Sequence, residues 1–166
     1  MVVASSFVSA SAAADASSWF YMGAGPTRLE RANSETAVSW LTDFGMGTSP
    51  NAAVSVGGLG RLIWHFPDRP DLAIVARGAT HGFVAGGWGA GLDLGGYQRW
   101  WGVNSTGFIG DVVLGAPWGV TLVVGGSAGT NDHKSYFATL GIDLARLTVH
   151  GPKDSAWFPN PFPSPR

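Results

Sequence analysis

The sequence predicts an all-β fold: an antiparallel up-and-down β-barrel of about eight strands, transmembrane in character. Three observations carry this expectation. Apolar residues recur at every second position through eight separate segments, so each segment has two unlike faces. The connections alternate between short uncharged turns and longer, more polar loops. Aromatic residues gather at both ends of the segments, Trp64, Phe66, Trp100, Trp101, Phe108 and Tyr136 at the charged-loop ends and Trp19, Phe83, Trp88 and Trp118 at the short-turn ends.

Composition narrows the field. Charged residues make up 13% of the 166, while Gly contributes 25 and Trp 8. A typical soluble domain carries about 25% charged residues, so little material is available for a wetted surface. The net charge of −1 offers no basic field to neutralise phosphates, which argues against nucleic acid as a partner. The absence of Cys removes disulfides, thiolate metal sites and cysteine nucleophiles. No run of about 18 apolar residues occurs, which excludes a spanning helix; spanning strands need only about 9–11 residues each.

Met1–Ala14 is rich in Ala and Ser and has no basic residue, the first being Arg28. It matches the apolar and small-residue parts of an export signal, with Ala12-Ala13-Ala14 as the cleavage site, although the positive leading region is missing. The expected division is a signal-peptide remnant over 1–14, a barrel domain over 15–150 and a Pro-rich tail over 151–166.

The first strand is expected over Trp19–Leu29, with Trp19, Tyr21, Gly23 and Gly25 on one parity, followed by a charged loop from Arg28 to Glu35. The second runs from about Thr36 to Gly47 with Val38, Trp40, Thr42, Phe44 and Met46 on one face. Thr48–Asn51 turns the chain into Ala53–Phe66, where Val54, Val56, Leu62, Trp64 and Phe66 alternate with Ser55, Leu59, Arg61, Ile63 and His65. Pro67–Asp71 reads as a polar loop, because Pro resists a strand interior. The fourth strand, Leu72–Phe83, sets Leu72, Ile74 and Ala76 against Val75, Arg77 and His81, and Val84–Gly87 turns it. Trp88–Trp101 is the fifth, with Leu92 and Leu94 opposite Asp93, Tyr97 and Arg99. After the loop Gly102–Thr106, Phe108–Gly115 carries Phe108, Gly110, Val112 and Leu114 on one face. Ala116-Pro117-Trp118-Gly119 is a tight turn into Val120–Gly126, and Gly129–Lys134 loops into a last strand carrying Tyr136, Ala138, Leu140, Ile142 and Leu144. No segment reads as helix.

Alternation cannot say which face is wet, so the second face decides. It holds Gly, Ala, Ser and Thr with about one charge per strand: Asp43, Arg61, Arg77, Asp93, Asp111 and Asp143. Such a face is poor as a water-covered exterior. It suits the lumen of a narrow barrel, where eight strands leave room only for side chains and Arg can pair with carboxylates. These six are expected to form a structural ion-pair network inside the barrel. Trp19, Trp64, Trp88, Trp100, Trp101, Phe108, Trp118 and Tyr136 are expected at the membrane interface as two aromatic girdles.

The alternating segments, the Ala116–Gly119 turn and the closing strand Tyr136–Ala145 together resemble the small eight-stranded outer-membrane barrels of Gram-negative bacteria, of the OmpA/OmpX type. The resemblance covers about Trp19 to Val149 and is one of architecture. It implies insertion by the barrel-assembly machinery, an outer-membrane location among lipid and lipopolysaccharide, and a role in envelope structure, adhesion or porin-like small-solute passage. Such barrels usually finish on an aromatic in the last strand. Here Leu147-Thr148-Val149-His150 closes it, and the Pro-rich tail is expected to be extended and outside the sheet. His150 is read as capping the last strand. Arg146 falls on the apolar parity, which means either snorkelling at the rim or a shift in phase.

The leading functional reading is a non-enzymatic membrane barrel without cofactor or metal. Two alternatives stand beside it. A soluble lipocalin-like barrel would place Trp40, Trp64, Trp88 and Leu92 inside around an apolar ligand. A lipid A-modifying esterase would use His133 and Ser135, which have the His-x-Ser spacing of outer-membrane lipid A deacylases and would point the same way on a strand. No Asn-Ala-Gly follows them and no orienting acid is evident; the plainer reading is a solvated loop. His65 and His81 share a parity but fall at opposite ends, so they are not expected to share a metal. The glycines around Gly86–Gly91 match no phosphate-binding fingerprint.

Overall fold

The computed structural model describes residues 16–30, 34–66, 70–102 and 104–148. The expected leader (1–14), His150 and the Pro-rich tail lie outside the described residues. Eight strands follow one another: β1 Ser17–Glu30, β2 Ser34–Gly47, β3 Val54–Phe66, β4 Pro70–Thr80, β5 Gly89–Arg99, β6 Ser105–Gly115, β7 Val120–Gly129 and β8 Lys134–Asp143. Each pairs antiparallel with the next, and β8 pairs with β1 to close the barrel.

The register fixes the shape. From Ser17, directly opposed partners run through Gly47, Gly57, Arg77, Asp93, Asp111, Gly125 and Phe137, and the circuit returns to β1 at Thr27. That return is ten residues further along β1. With strands about 4.8 Å apart and a rise of about 3.3 Å per residue, the stagger gives a tilt of about 41° and a radius of about 8 Å. The interior is therefore only wide enough to be filled by side chains.

One end of the barrel, the turn end, gathers the short connections. β6 meets β7 through the 3₁₀ turn Pro117–Gly119, in which Trp118 (φ 60°) and Gly119 (φ 74°) are both left-handed. Glycine adopts this freely; tryptophan does not, so the bond from Ala116 N–H to Val120 C=O (2.8 Å) closes the turn over local strain. At the opposite, loop end, Asn131 and Asp132 are the two left-handed residues between β7 and β8. These residue types tolerate that conformation, and the paired left-handed twist suits a hairpin.

Several expectations are corrected. The sequence gives no helix, but single-turn helices α1 (His81–Val84) and α2 (Leu144–Thr148) lie at the turn end. β4 stops at Thr80 instead of running to Phe83, because α1 folds Phe83 and Val84 into the barrel mouth, where both are buried. β4 begins at Pro70, taking in residues expected to be loop. β5 ends at Arg99, so Trp100 and Trp101 lie beyond it. β8 ends at Asp143, and α2 reverses the chain so that Arg146 points inward and is 1% exposed. Arg146 thus marks a change of phase and does not snorkel.

Candidate functional site

The interior holds two separate charged clusters, each built by strand register. The central one joins four strands and a fifth. Asp43 on β2 lies directly opposite Arg61 on β3; Arg77 on β4 lies opposite Asp93 on β5, which lies opposite Asp111 on β6. Arg61 donates through Nε and Nη2 to the two Asp43 oxygens at 2.7 and 2.8 Å, from Nη2 to Asp93 at 2.6 Å, and from Nη1 to Asp111. Arg77 makes a second fork, to both Asp93 oxygens at 2.7 and 2.6 Å, and reaches Asp43 at 2.9 Å. None of the five residues is more than 4% exposed. Paired guanidinium–carboxylate forks are the geometry that makes such burial tolerable.

Asp143 does not join them. Its Oδ1 accepts from the backbone N–H of Phe20 (3.3 Å), Ala145 (3.0 Å) and Arg146 (3.2 Å). It secures the reversal into α2, since the donors of a helix's first turn have no partner within the helix. Of the six residues expected to form one network, five are therefore brought together and one is an end-cap.

The second cluster sits nearer the loop end and was not assembled from the sequence. Ser39 Oγ lies 2.7 Å from His65 Nδ1, and His65 Nε2 lies 3.2 Å from Asp71 Oδ2. Asp71 is held by both arms of Arg99, with Nε at 2.7 Å, and by the Trp101 indole N–H at 2.9 Å. The Arg99 guanidinium stacks 4.5 Å from the Trp101 ring centroid. Ser, His and Asp in a row suggest a nucleophile with its base and orienter. However, Ser39 is 0% exposed and His65 1%, so the row is enclosed within the barrel and its groups are engaged with one another. His65, Arg99 and Ser39 share the inward parity that the sequence displays; Asp71 was hidden in a segment that Pro makes look like loop.

An apolar layer separates the clusters. One inward step beyond Asp43 is Leu41, beyond Arg61 is Ile63, and beyond Asp111 is Ile109; Ala73 and Phe137 complete the layer, all buried. The turn-end mouth is filled from the other side. Arg146 donates to the carbonyls of Phe83 (2.7 Å), Gly87 (2.7 Å), Ala116 (3.1 Å) and Val120 (3.3 Å) and to Thr121 Oγ1 (2.9 Å). Its guanidinium lies 4.3 Å from the Phe83 ring centroid.

The exterior is the reverse of the interior. Among the described residues, twenty-five large apolar side chains are exposed, including Phe44, Ile74, Leu94, Phe108 and Leu140. Of the aromatics expected at an interface, Trp64, Phe108, Tyr136 and Trp100 are exposed towards the loop end, and Trp88 and Trp118 at the turn end. Trp19 and Trp101 are corrections. Trp19 is 1% exposed and lies inside, 5.4 Å from the Arg77 guanidinium, and Trp101 is buried against Asp71 and Arg99. Trp40, Trp64, Trp88 and Leu92, which a lipocalin-like cavity would need inside, are all outside. His133 and Ser135 are both buried, and Ser135 Oγ lies 2.7 Å from Ser127 Oγ. His65 is at the loop end while exposed His81, bonded to the Pro50 carbonyl, is at the turn end.

No protein-family model, curated protein or solved structure matches this chain.

Proposed function

We propose that this chain is a non-enzymatic, membrane-spanning β-barrel of the outer membrane of a Gram-negative bacterium, serving envelope structure. One observation carries the reading: the closed barrel turns its large apolar side chains outward and its guanidinium–carboxylate cluster inward. In water this would expose an apolar surface far beyond the few hundred Å² usual for a monomer. In lipid it is the favoured polarity, because a closed sheet leaves no unpaired edge and hides its charges.

Dimensions agree with a bilayer. The outward face of β3 is continuous from Val54 to Phe66. That run covers about 40 Å along the strand, or about 30 Å along the axis at the tilt derived above, against a hydrocarbon core about 30 Å thick. Exposed Trp88 and Trp118 at one end, and Trp64, Trp100 and Tyr136 towards the other, fit the two boundaries.

Refolded in detergent, the protein is expected to migrate differently on an SDS gel before and after boiling, and to fail to fold in plain buffer. A monomer that stays folded without detergent would end the membrane reading. The filled interior favours a structural role over solute passage. In planar bilayers no regular single-channel steps are expected; reproducible open steps would show that the two charged layers and the apolar layer between them part to admit ions.

A further inference from the structure

We propose that the outer surface over β5–β8 carries a binding groove for an anionic, phosphate-bearing lipid, an inference that rests on the membrane-spanning reading. The groove has a volume of about 440 Å³. Its floor is Gly110, Gly126 and Ala128, and its walls are Leu94, Phe108 and Tyr136. The register explains the shape. Gly110 lies opposite Gly126 and Phe108 opposite Ala128, while Gly126 lies opposite Tyr136. Small residues on β7 therefore form a valley between aromatic ridges on β6 and β8. The walls are strongly exposed, Phe108 by 81%, Leu94 by 60% and Tyr136 by 52%.

The loop-end mouth of this apolar valley is closed by a cation. Lys134 lines the groove, is exposed, and lies opposite Ala128 in the register. Among the described residues it makes no ion pair. Its cross-strand neighbour Glu30 is engaged instead by Arg28 at 3.3 Å, and Arg28 lies opposite Tyr136 one strand away. An apolar trough lying along the membrane-facing wall, with an ammonium at headgroup height, matches an acyl chain below and an anionic headgroup above. A second copy of the barrel fits less well. Two-fold pairing through this groove about the membrane normal would set one Lys134 against the other at the same depth, and like charges repel.

The test uses the full chain refolded in phosphatidylcholine bilayers, with trace spin-labelled phosphatidylglycerol or spin-labelled phosphatidylcholine. Electron paramagnetic resonance reads the motionally restricted lipid fraction. Wild type is expected to prefer phosphatidylglycerol by about fivefold, the factor for one cation near an anionic lipid, with the preference falling as salt is raised. Lys134→Gln should abolish the preference, and Ala128→Phe, which fills the valley while keeping the cation, should abolish it too. Equal restriction of the two lipids by folded wild type would overturn the groove, as would a preference that survives both substitutions. A preference lost in Lys134→Gln but retained in Ala128→Phe would mean surface charge without a groove, which also overturns it. The heat-dependent gel shift separates these results from a failure of the membrane reading. A chain that never shows the folded band in bilayers overturns both; one that shows the band without lipid preference overturns the groove alone.

Discussion

Arg61→Met is expected to destabilise the barrel by about 3–5 kcal/mol, the usual cost of removing one partner from a buried ion pair. The reason is visible in the charge count. Two guanidiniums, Arg61 and Arg77, face three carboxylates, Asp43, Asp93 and Asp111. Arg61 touches all three, so its loss leaves Asp111 with only the neighbouring Asp93 carboxyl beside it, and Asp43 with only the Arg77 Nη2 contact. Asp111→Asn should be far milder. The cluster as it stands carries one more carboxylate than guanidinium, and the Asp111 Oδ1 has no hydrogen-bond partner among the described residues. Neutralising that residue brings the cluster to balance and keeps an oxygen for Arg61. Urea unfolding of the refolded protein in lipid vesicles would measure both. Equal losses for the two variants would refute the charge-count argument, and a negligible loss for Arg61→Met would place the guanidinium outside any energetically coupled network.

The contrast between faces was legible in the sequence because side chains alternate with a period of two along every strand. Asp43, Arg61, Arg77, Asp93 and Asp111 each fall on the opposite parity from the exposed large apolar residues of their strands, and all five are inside. β1 is where this logic had no grip. Trp19 and Tyr21 share one parity while Phe20 and Met22 share the other, so either face passes for apolar. The structure puts Trp19 inward over Gly47, where an added Cβ would come within 2.4 Å of the indole ring. A glycine two strand-ends away in sequence is thus the counterpart of that ring, and only the β1–β2 register brings them together. The loop-end cluster was missed for a similar reason. Ser39, His65, Asp71 and Arg99 come from four strands, and Asp71 follows a Pro that masks the start of β4. Periodicity announces which way a residue points; it does not announce its height on a tilted barrel.

Arg146→Met is expected to have the second large effect, about 3 kcal/mol, and to act at one end of the barrel rather than throughout. Its guanidinium donates to carbonyls of α1 and the turn after it, and to carbonyls at both ends of the β6–β7 turn, so two segments distant in sequence depend on one side chain. Each hydrogen bond to a charged group is worth roughly 1.5–3 kcal/mol, part of which is recovered when water reaches the freed carbonyls. Arg146→Lys should rescue little, because an ammonium is a point donor and cannot bridge acceptors spread around a planar fork. The room for that fork is built in: a Cβ on Gly115 would come within about 2.6 Å of three guanidinium atoms. Gly115→Ala should therefore displace Arg146 and reproduce much of the same loss without touching any charge. Amide hydrogen exchange distinguishes this local closure from global stability. In Arg146→Met, protection is expected to fall at Ala85, Gly87 and Ala116, whose N–H groups bond within the turn-end connections. Protection in the middle of β6 and β7 should fall only as far as global stability does. Uniform loss of protection along the whole barrel would mean that Arg146 sustains the sheet as a unit, not its mouth.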